Sequence, residues 1–247
     1  MLGNGPRLVL LHGFTQNRGC WGPLPELLAS DHEVVLVDGP GHGTSGHDDA
    51  DLVESGRLVG QVGGRAIYVG YSMGGRMALH LALAQPDLVE QLILVGATAG
   101  IDDAVERTQR RNADEALAAR LLDIGLPAFL DEWLASPLFA TLPEAAACRQ
   151  ARLSNRPEGL AASLRSVGTG TQQPLWDRIG SLTMPVWVVA GVDDTKFTAQ
   201  AHRLASAIGA NAEVRIEPGG HALHLEHPAA FAALVREVTT SGRPGGS

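Results

Sequence analysis

The chain has 247 residues, of which 45% are hydrophobic and 19% charged, and its formal net charge is −8. This composition excludes an intrinsically disordered chain, and no apolar run approaches the roughly 18 residues that a membrane-spanning helix needs. The acidic balance also disfavours binding to nucleic acid or to an anionic membrane, so we expect neither as a partner.

The N-terminal sequence predicts no secretion signal. Met1 leads almost directly into the apolar residues 8–11, without a basic segment, a long apolar core or a cleavage site of small residues. We therefore expect a cytoplasmic protein. Its two cysteines, Cys20 and Cys148, are far apart in the sequence and are predicted to be reduced.

The first hundred residues alternate apolar, β-branched runs with segments of helical periodicity. The predicted elements are strands at 7–11, 33–37, 65–69 and 88–95, and helices at 23–29, 50–62 and 73–83. This alternation is typical of βαβ units and predicts an α/β fold with a mostly parallel sheet.

Between residues 101 and 182 helical periodicity dominates and no strand-like run occurs. The predicted helices, broken by prolines and glycines, are 103–123, 126–135, 143–152 and 157–166. The sheet then resumes with strands at 186–190 and 212–216 and helices at 199–208 and 229–238. We therefore predict a core of residues 1–100 and 183–240, a helical cap inserted at 101–182, and a disordered tail at 241–247.

The stretch from Gly70 to Gly74 reads as a sharp turn between a strand and a helix, with Ser72 at its apex. The glycines in Gly-x-Ser-x-Gly are needed because side chains at their positions would collide in so tight a turn. The serine hydroxyl is then exposed beside the start of a helix, where negative charge is stabilised. Ser72 is therefore the candidate catalytic serine.

A serine hydroxyl is nearly inert at neutral pH without a base, so a histidine is expected at the same edge of the sheet. His221 follows two glycines that let the backbone turn over the sheet, whereas His224 and His227 lie closer to the final helix. We predict that His221 is the base. A carboxylate should orient its ring, and Asp193 and Asp194 both follow the strand at 186–190.

Those two aspartates point in opposite directions as they leave the strand, so one can reach the histidine while the other faces solvent or caps the next helix. The residues alone leave that choice open. Two backbone amides, those of Phe14 and Met73, are the predicted oxyanion site. His12, in the same loop as Phe14, is interpreted as a residue that orders the loop.

The sequence predicts neither a metal site nor a nucleotide site. Residues 221–227 are dense in metal-ligand types, but the glycines before them and Pro228 after them argue against one helix face that presents them together. The glycine-rich loops at 39–43 and 96–100 lack the phosphate-binding and dinucleotide fingerprints. We expect neither a metal nor a cofactor.

Arg76 lies one helical turn after Ser72, at a position that normally faces the core or a neighbouring helix. A charge there needs either a carboxylate partner or an anionic substrate, and we favour substrate anchoring.

Three arginines share one face of the first cap helix, namely Arg107, Arg110 and Arg111. The spacings Glu106–Arg110 and Arg111–Glu115 are those of ion pairs on a solvated surface. Periodicity alone therefore favours a surface role for all three arginines.

Together these motifs resemble the α/β-hydrolase superfamily and, within it, the MenH family of the menaquinone pathway, the 2-succinyl-6-hydroxy-2,4-cyclohexadiene-1-carboxylate synthases. Gly-x-Ser-x-Gly marks only the superfamily. The more specific matches are Arg76, the segment from Trp133 to Phe139 as W-x-x-x-P-L-F, and the segment from Gly191 to Phe197 as G-x-x-D-[ST]-K-F.

The resemblance implies Asp194, rather than Asp193, as the acid of the triad. It also implies substrate contacts for five residues, namely Tyr71, Arg76, Arg110, Trp133 and Arg152. The family's reaction eliminates pyruvate from a multiply anionic cyclohexene carboxylate, so the resemblance implies a lyase, and arginines suit such a substrate.

A serine carboxylesterase or C–C hydrolase is the alternative function. A noncatalytic binding module is disfavoured because all three members of the triad are present. The sequence does not indicate an oligomeric state.

Overall fold

A six-stranded parallel sheet forms the centre of the molecule, which a computed structural model describes over residues 1–241. Its strands in chain order are β1 (Arg7–Leu11), β2 (Glu33–Val37), β3 (Ala66–Tyr71), β4 (Val89–Val95), β5 (Val186–Gly191) and β6 (Ala212–Glu217). They lie in the order β2-β1-β3-β4-β5-β6, and each neighbouring pair is parallel. The predicted α/β fold is confirmed.

Helices cover both faces of this sheet. Those of the core are α1 (Leu24–Leu28), α2 (Leu52–Gly63), α3 (Met73–Ala84), α7 (Thr195–Ile208), α8 (Leu223–Glu226) and α9 (Pro228–Ser241). Between β4 and β5 lie α4 (Ala104–Leu134), α5 (Arg149–Leu153) and α6 (Pro157–Val167). None of the helices in the described residues is long and apolar enough to span a membrane.

The inner strands form where they do because most of their residues are apolar on both faces, whereas the edge strand β6 alternates apolar and charged residues. All six residues of β3 and all six of β5 are buried, as expected for parallel strands covered on each side. In β1, Leu8 and Leu10 pack into the cluster that contains α1 and α9, while Val9 and Leu11 pack into the cluster that contains α2, α3 and α7.

The segment between β4 and β5 has a small apolar cluster of its own, in which α4 packs against α6. The sequence predicted two helices at 103–123 and 126–135, and α4 is indeed two helices in succession. They are separated at Gly125, whose φ of 77° and ψ of 161° lie outside the helical region. Glycine reaches that conformation without a steric penalty, so one helix can end there and the next begin directly after it.

Other boundaries differ from prediction for local reasons. The helix predicted at 143–152 is split by Cys148, which has a φ of 47°, into a short 3-10 turn and α5. Helix α7 begins four residues early because Asp194 caps it, and the short α8 was not predicted. Of the predicted disordered tail, Ser241 ends α9, and residues 242–247 lie outside the described residues.

Candidate active site

Ser72 lies in the turn that joins β3 to α3, at the carboxyl end of the sheet. Its backbone has a φ of 51° and a ψ of −107°, which is unusual for a residue other than glycine, and its N–H donates to Val95 O at 2.8 Å. A Cβ on Gly74 would lie 2.2 Å from Leu11 O, and one on Gly70 would lie 2.5 Å from the Cα of Gly75. The two glycines are therefore required, for the reason predicted.

His221 is bonded to Asp194. The His221 Nδ1 lies 2.7 Å from Asp194 Oδ2, and the two side chains are only 2% and 10% exposed. The other carboxylate oxygen, Oδ1, accepts the N–H of Phe197 at 3.2 Å and so caps α7. The sequence had divided orientation of the histidine and helix capping between two aspartates, but Asp194 does both, and Asp193 is exposed.

The neighbouring histidines have different surroundings. His224 is fully buried against Tyr71 and Trp21, its ring nitrogens have no hydrogen-bond partner among the described residues, and burial lowers its pKa to about 3. It is a neutral core residue. His227 is exposed, and Glu226 accepts the N–H of Gly220 at 2.8 Å. These side chains therefore do not converge on one point.

Ser72 and His221 line the same cavity, which has a volume of about 380 Å³. Besides His221, the charged or titratable side chains that line it are Arg76, Arg110 and Lys196, and no described carboxylate does so. The rest of the lining is largely apolar and includes Phe14, Met73, Leu117, Trp133, Leu138, Leu164, Val167 and Phe197. The cavity is thus mostly apolar, with three cationic side chains in its wall.

The two predicted oxyanion residues, Phe14 and Met73, both line the cavity. Neither backbone N–H donates to an acceptor among the described residues. His12 holds the loop before Phe14: its Nε2 accepts the N–H of Gly39 at 3.0 Å, so its Nδ1 carries the proton donated to Gly13 O at 2.8 Å. Burial lowers the pKa of His12 to about 4, consistent with this neutral form.

Arg76 is 7% exposed and faces the cavity. Its Nη1 donates to Val167 O at 2.6 Å, and no carboxylate pairs with it in the described part of the chain. Burial lowers the pKa of Arg76 to about 10, so the guanidinium stays charged at neutral pH. An unpaired buried cation in a cavity wall favours an anionic ligand.

Arg110 is partly exposed, as periodicity favoured, with 38% of its side chain accessible, but it also has a place at the cavity. It lines the cavity, and its Nε donates at 2.8 Å to Asp114, whose side chain is 1% exposed. Neither predicted surface pair forms among the described residues. Arg110 pairs with Asp114 and not with Glu106, while Glu115 pairs with Arg165 at 2.7 Å and Arg111 donates to a backbone oxygen. Sequence reasoning missed Asp114, although it lies at the i+4 spacing from Arg110 that could have revealed it.

Trp133 also lines the cavity, with its ring 5.3 Å from that of Phe14 in an edge-to-face arrangement. Tyr71 and Arg152 do not belong to this lining. Tyr71 is buried against His221 and His224. Arg152 is fully buried, donating to Ala147 O at 2.8 Å and to the hydroxyl of Thr15.

The predicted substrate contacts therefore separate into two groups. Arg76, Arg110 and Trp133 are at the cavity. Tyr71 and Arg152 lie behind the cavity. Tyr71 packs against His221, and Arg152 contacts the loop that carries Phe14.

Comparisons with known proteins agree with the fold. A family model described as the alpha/beta hydrolase family matches residues 8–234. A 2-succinyl-6-hydroxy-2,4-cyclohexadiene-1-carboxylate synthase from Escherichia coli is 31% identical over 94% of this chain and 93% of that protein. A pimeloyl-[acyl-carrier protein] methyl ester esterase from Xanthomonas campestris is 34% identical over 92% of each chain. The structure of MenH from S. aureus superposes with a TM-score of 0.89 at 30% identity, covering 97% of this chain and 96% of that one.

Proposed function

Because the chain belongs to the alpha/beta hydrolase family, we propose that it is an enzyme with Ser72, His221 and Asp194 as its catalytic triad. Its reaction is the menaquinone-pathway elimination of pyruvate from 2-succinyl-5-enolpyruvyl-6-hydroxy-3-cyclohexene-1-carboxylate. The product is 2-succinyl-6-hydroxy-2,4-cyclohexadiene-1-carboxylate. The enzyme is then a carbon–oxygen lyase on a hydrolase scaffold, and it needs no cofactor.

The observation that carries this proposal is the charge of the cavity. The chain has a net charge of −8, yet the fully charged side chains that line the cavity beside Ser72 are all cations. A hydrolase for neutral esters has no need of buried Arg76 in its wall. A substrate with three carboxylates does need such a residue, because guanidinium groups both orient a carboxylate and neutralise its charge.

The proposed chemistry follows from where the substrate's acidic hydrogen lies. The ring hydrogen at C2 is adjacent to the succinyl ketone, so its loss gives an enolate. Ser72, activated by Nε2 of His221, removes this proton. The electron pair forms the C2–C3 double bond, the ring double bond moves to C4–C5, and the C5–oxygen bond breaks. The departing enolate takes up a proton and becomes pyruvate.

The surrounding groups lower the barrier of this step. The imidazolium that forms on His221 is stabilised by Asp194 at 2.7 Å. The N–H groups of Phe14 and Met73 stabilise the ketone oxygen as it gains charge, and each such donor is typically worth about 10²–10³ in rate. Serine acts here as a relay base and forms no acyl intermediate.

The experiment is to measure pyruvate release by coupling it to lactate dehydrogenase. Wild-type protein should release one pyruvate per substrate, and Ser72→Ala should lose turnover by at least about a thousandfold while keeping most of its substrate affinity. Ser163→Ala is a matched control because Ser163 lines the same cavity. Full activity of Ser72→Ala would contradict the proposal.

A serine esterase is the second candidate, because the similar Xanthomonas protein carries that name and the triad geometry suits both reactions. Arg76→Ala separates them. It should lower the kcat/KM of the lyase by about 10²-fold or more, since it leaves a carboxylate without its partner, but spare cleavage of a neutral methyl ester. An enzyme that cleaves such esters rapidly and releases no pyruvate is an esterase.

A further inference from the structure

Lys196 is the one lysine of the chain. The other 18 of its 19 lysine and arginine residues are arginines, so a lysine ammonium group occurs at a single position. The two cations are not equivalent, because lysine is a compact point charge on a flexible stem and arginine a planar fork. The position of that lysine is two residues after Asp194, in the first turn of α7.

The fold gives no reason for a cation there. A positive charge at a helix N-terminus opposes the helix dipole. Lys196 is exposed, and no carboxylate pairs with it among the described residues. Its Nζ lies 5.8 Å from the ring centroid of Phe197, and such an exposed cation–π contact contributes only weakly to stability. Folding of α7 therefore does not depend on the ammonium group, so a role in binding is the better explanation.

Lys196 lies at the boundary between two cavities. It lines the inner cavity that holds Ser72 and His221, and also an outer cavity of about 280 Å³. Four residues line both cavities, namely Arg110, Thr169, Lys196 and Phe197. Two of these four are cations, so the passage between the cavities carries positive charge.

Charge is distributed unequally on the two sides of this boundary. Three acids, Asp102, Asp103 and Glu106, line only the outer cavity, where Arg203 pairs with Asp102. A carboxylate is thus repelled from the outer cavity and attracted to the boundary. Arg76 lies on the inner side. A substrate with several carboxylates can therefore meet one cation, Arg76, inside the inner cavity and two more, Arg110 and Lys196, at the outer end of that cavity.

We propose that Lys196, with Arg110, binds one carboxylate of the substrate at this boundary and selects substrates that carry a negative charge at that end. This inference rests on the proposed function, since it assigns a partner to one of the carboxylates of that substrate. It makes Lys196 a specificity-determining residue that acts in binding and takes no part in proton transfer.

The first test separates KM from kcat in pyruvate release. Lys196→Gln should raise KM about five- to tenfold and leave kcat within about twofold, because a half-solvated ion pair contributes to binding and is the same in ground and transition state. Lys196→Arg should recover part of the loss. Arg65→Gln is the charge-matched control: Arg65 is exposed just before β3, at the opposite end of the sheet, and should leave KM unchanged.

The second test needs no turnover. An amine acetylating reagent has two targets in this chain, Lys196 and the N-terminal amine, which peptide mass spectrometry distinguishes. Benzene-1,2,4-tricarboxylate should slow acetylation of Lys196 at least about threefold and leave that of the N-terminus unchanged. The N-terminus is therefore an internal control for reagent consumption.

The two tests also distinguish the failure of this inference from that of the proposed function. If wild-type protein releases no pyruvate, the proposed function is wrong, and the acetylation test still reports on the anion site. If pyruvate is released, but Lys196→Gln has the KM of Arg65→Gln or lowers kcat alone, the inference is wrong. Equal acetylation of Lys196 with and without the tricarboxylate also overturns it.

Discussion

The two carboxylate oxygens of Asp194 connect His221, the proposed base, to helix α7. Oδ2 is bonded to His221, and Oδ1 caps α7 through Phe197 N–H. Orientation of the imidazole is therefore built into the start of a fourteen-residue helix. Any movement of α7 moves His221, so the packing of this helix would affect catalysis by the proposed base.

The substitution Asp194→Asn should lower kcat by about 10³–10⁴-fold, by analogy with triads in which the same change leaves the imidazole in the wrong tautomer. Asparagine also caps helices well, so the melting temperature should change little. Asp193→Asn changes the net charge equally at the neighbouring exposed position and should keep wild-type kcat. Steady-state pyruvate release by both variants checks this, and a comparable loss in both would show that charge alone matters.

Some residues of the site are predictable from sequence because local geometry requires them. A side chain at Gly70 or Gly74 would lie less than 3 Å from backbone atoms, so the turn requires both glycines. Their spacing in the sequence is what identified Ser72. Other residues depend on partners distant in sequence. Arg110 looked like a surface residue because a helical period does not show that Asp114 is buried beside it. The placement of Tyr71 and Arg152 behind the cavity likewise depends on tertiary packing.

At the scale of elements, α5 and the residues just after it hold the loop that carries Phe14. Thr15 has a φ of 65°, a strained value for a β-branched residue. Asn155 is 5% exposed and joins three segments: its Nδ2 donates to Thr15 O at 2.8 Å and to Arg152 O at 3.0 Å, and its Oδ1 accepts the N–H of Gly43 at 2.6 Å. The segment between β4 and β5 therefore fixes one of the two proposed oxyanion donors.

Asn155→Ala should lower kcat about tenfold with a smaller change in KM, because the Phe14 amide loses its fixed position. It leaves buried backbone groups without partners, which costs about 1–3 kcal/mol in the free energy of unfolding. Asn211→Ala is the matched control, since Asn211 also donates to a backbone oxygen, that of Leu182, but at the other end of the sheet. Kinetics and urea unfolding of both variants are the measurements. If the two variants lose kcat equally, global stability and not the loop is responsible.

The elements themselves follow from sequence more readily than their junctions. Apolar runs predicted the inner strands because a parallel sheet buries both of their faces. The edge strand β6 was also predicted, although it alternates apolar and charged residues and none of its residues is fully buried. The segment α4 was predicted as two helices because Gly125 and Pro127 are helix breakers, and its backbone does leave the helical region at Gly125. Both parts pack into the apolar cluster that α4 shares with α6, which the sequence did not show.

For the whole molecule, buried histidines link stability to pH. Burial lowers the pKa of four of them in the folded state, to about 4 for His12 and His80 and to about 3 for His42 and His224. In the unfolded chain their pKa returns to about 6.5. Between about pH 6.5 and pH 4 the unfolded state therefore binds more protons than the folded state, and the free energy of unfolding decreases as the pH falls.

Each of these histidines contributes at most about 1.4 kcal/mol per pH unit to that decrease. Urea unfolding at pH 7, 6 and 5 should give a steadily smaller free energy of unfolding. His224→Phe removes one of the four groups, and its ring fits between Tyr71, Trp21 and Phe231, which surround His224. The free energy of unfolding of this variant should therefore depend less steeply on pH than that of the wild type, by the equivalent of about one proton. Equal slopes would mean that His224 binds a proton in the folded state, so that its enclosure by aromatic rings does not keep it neutral.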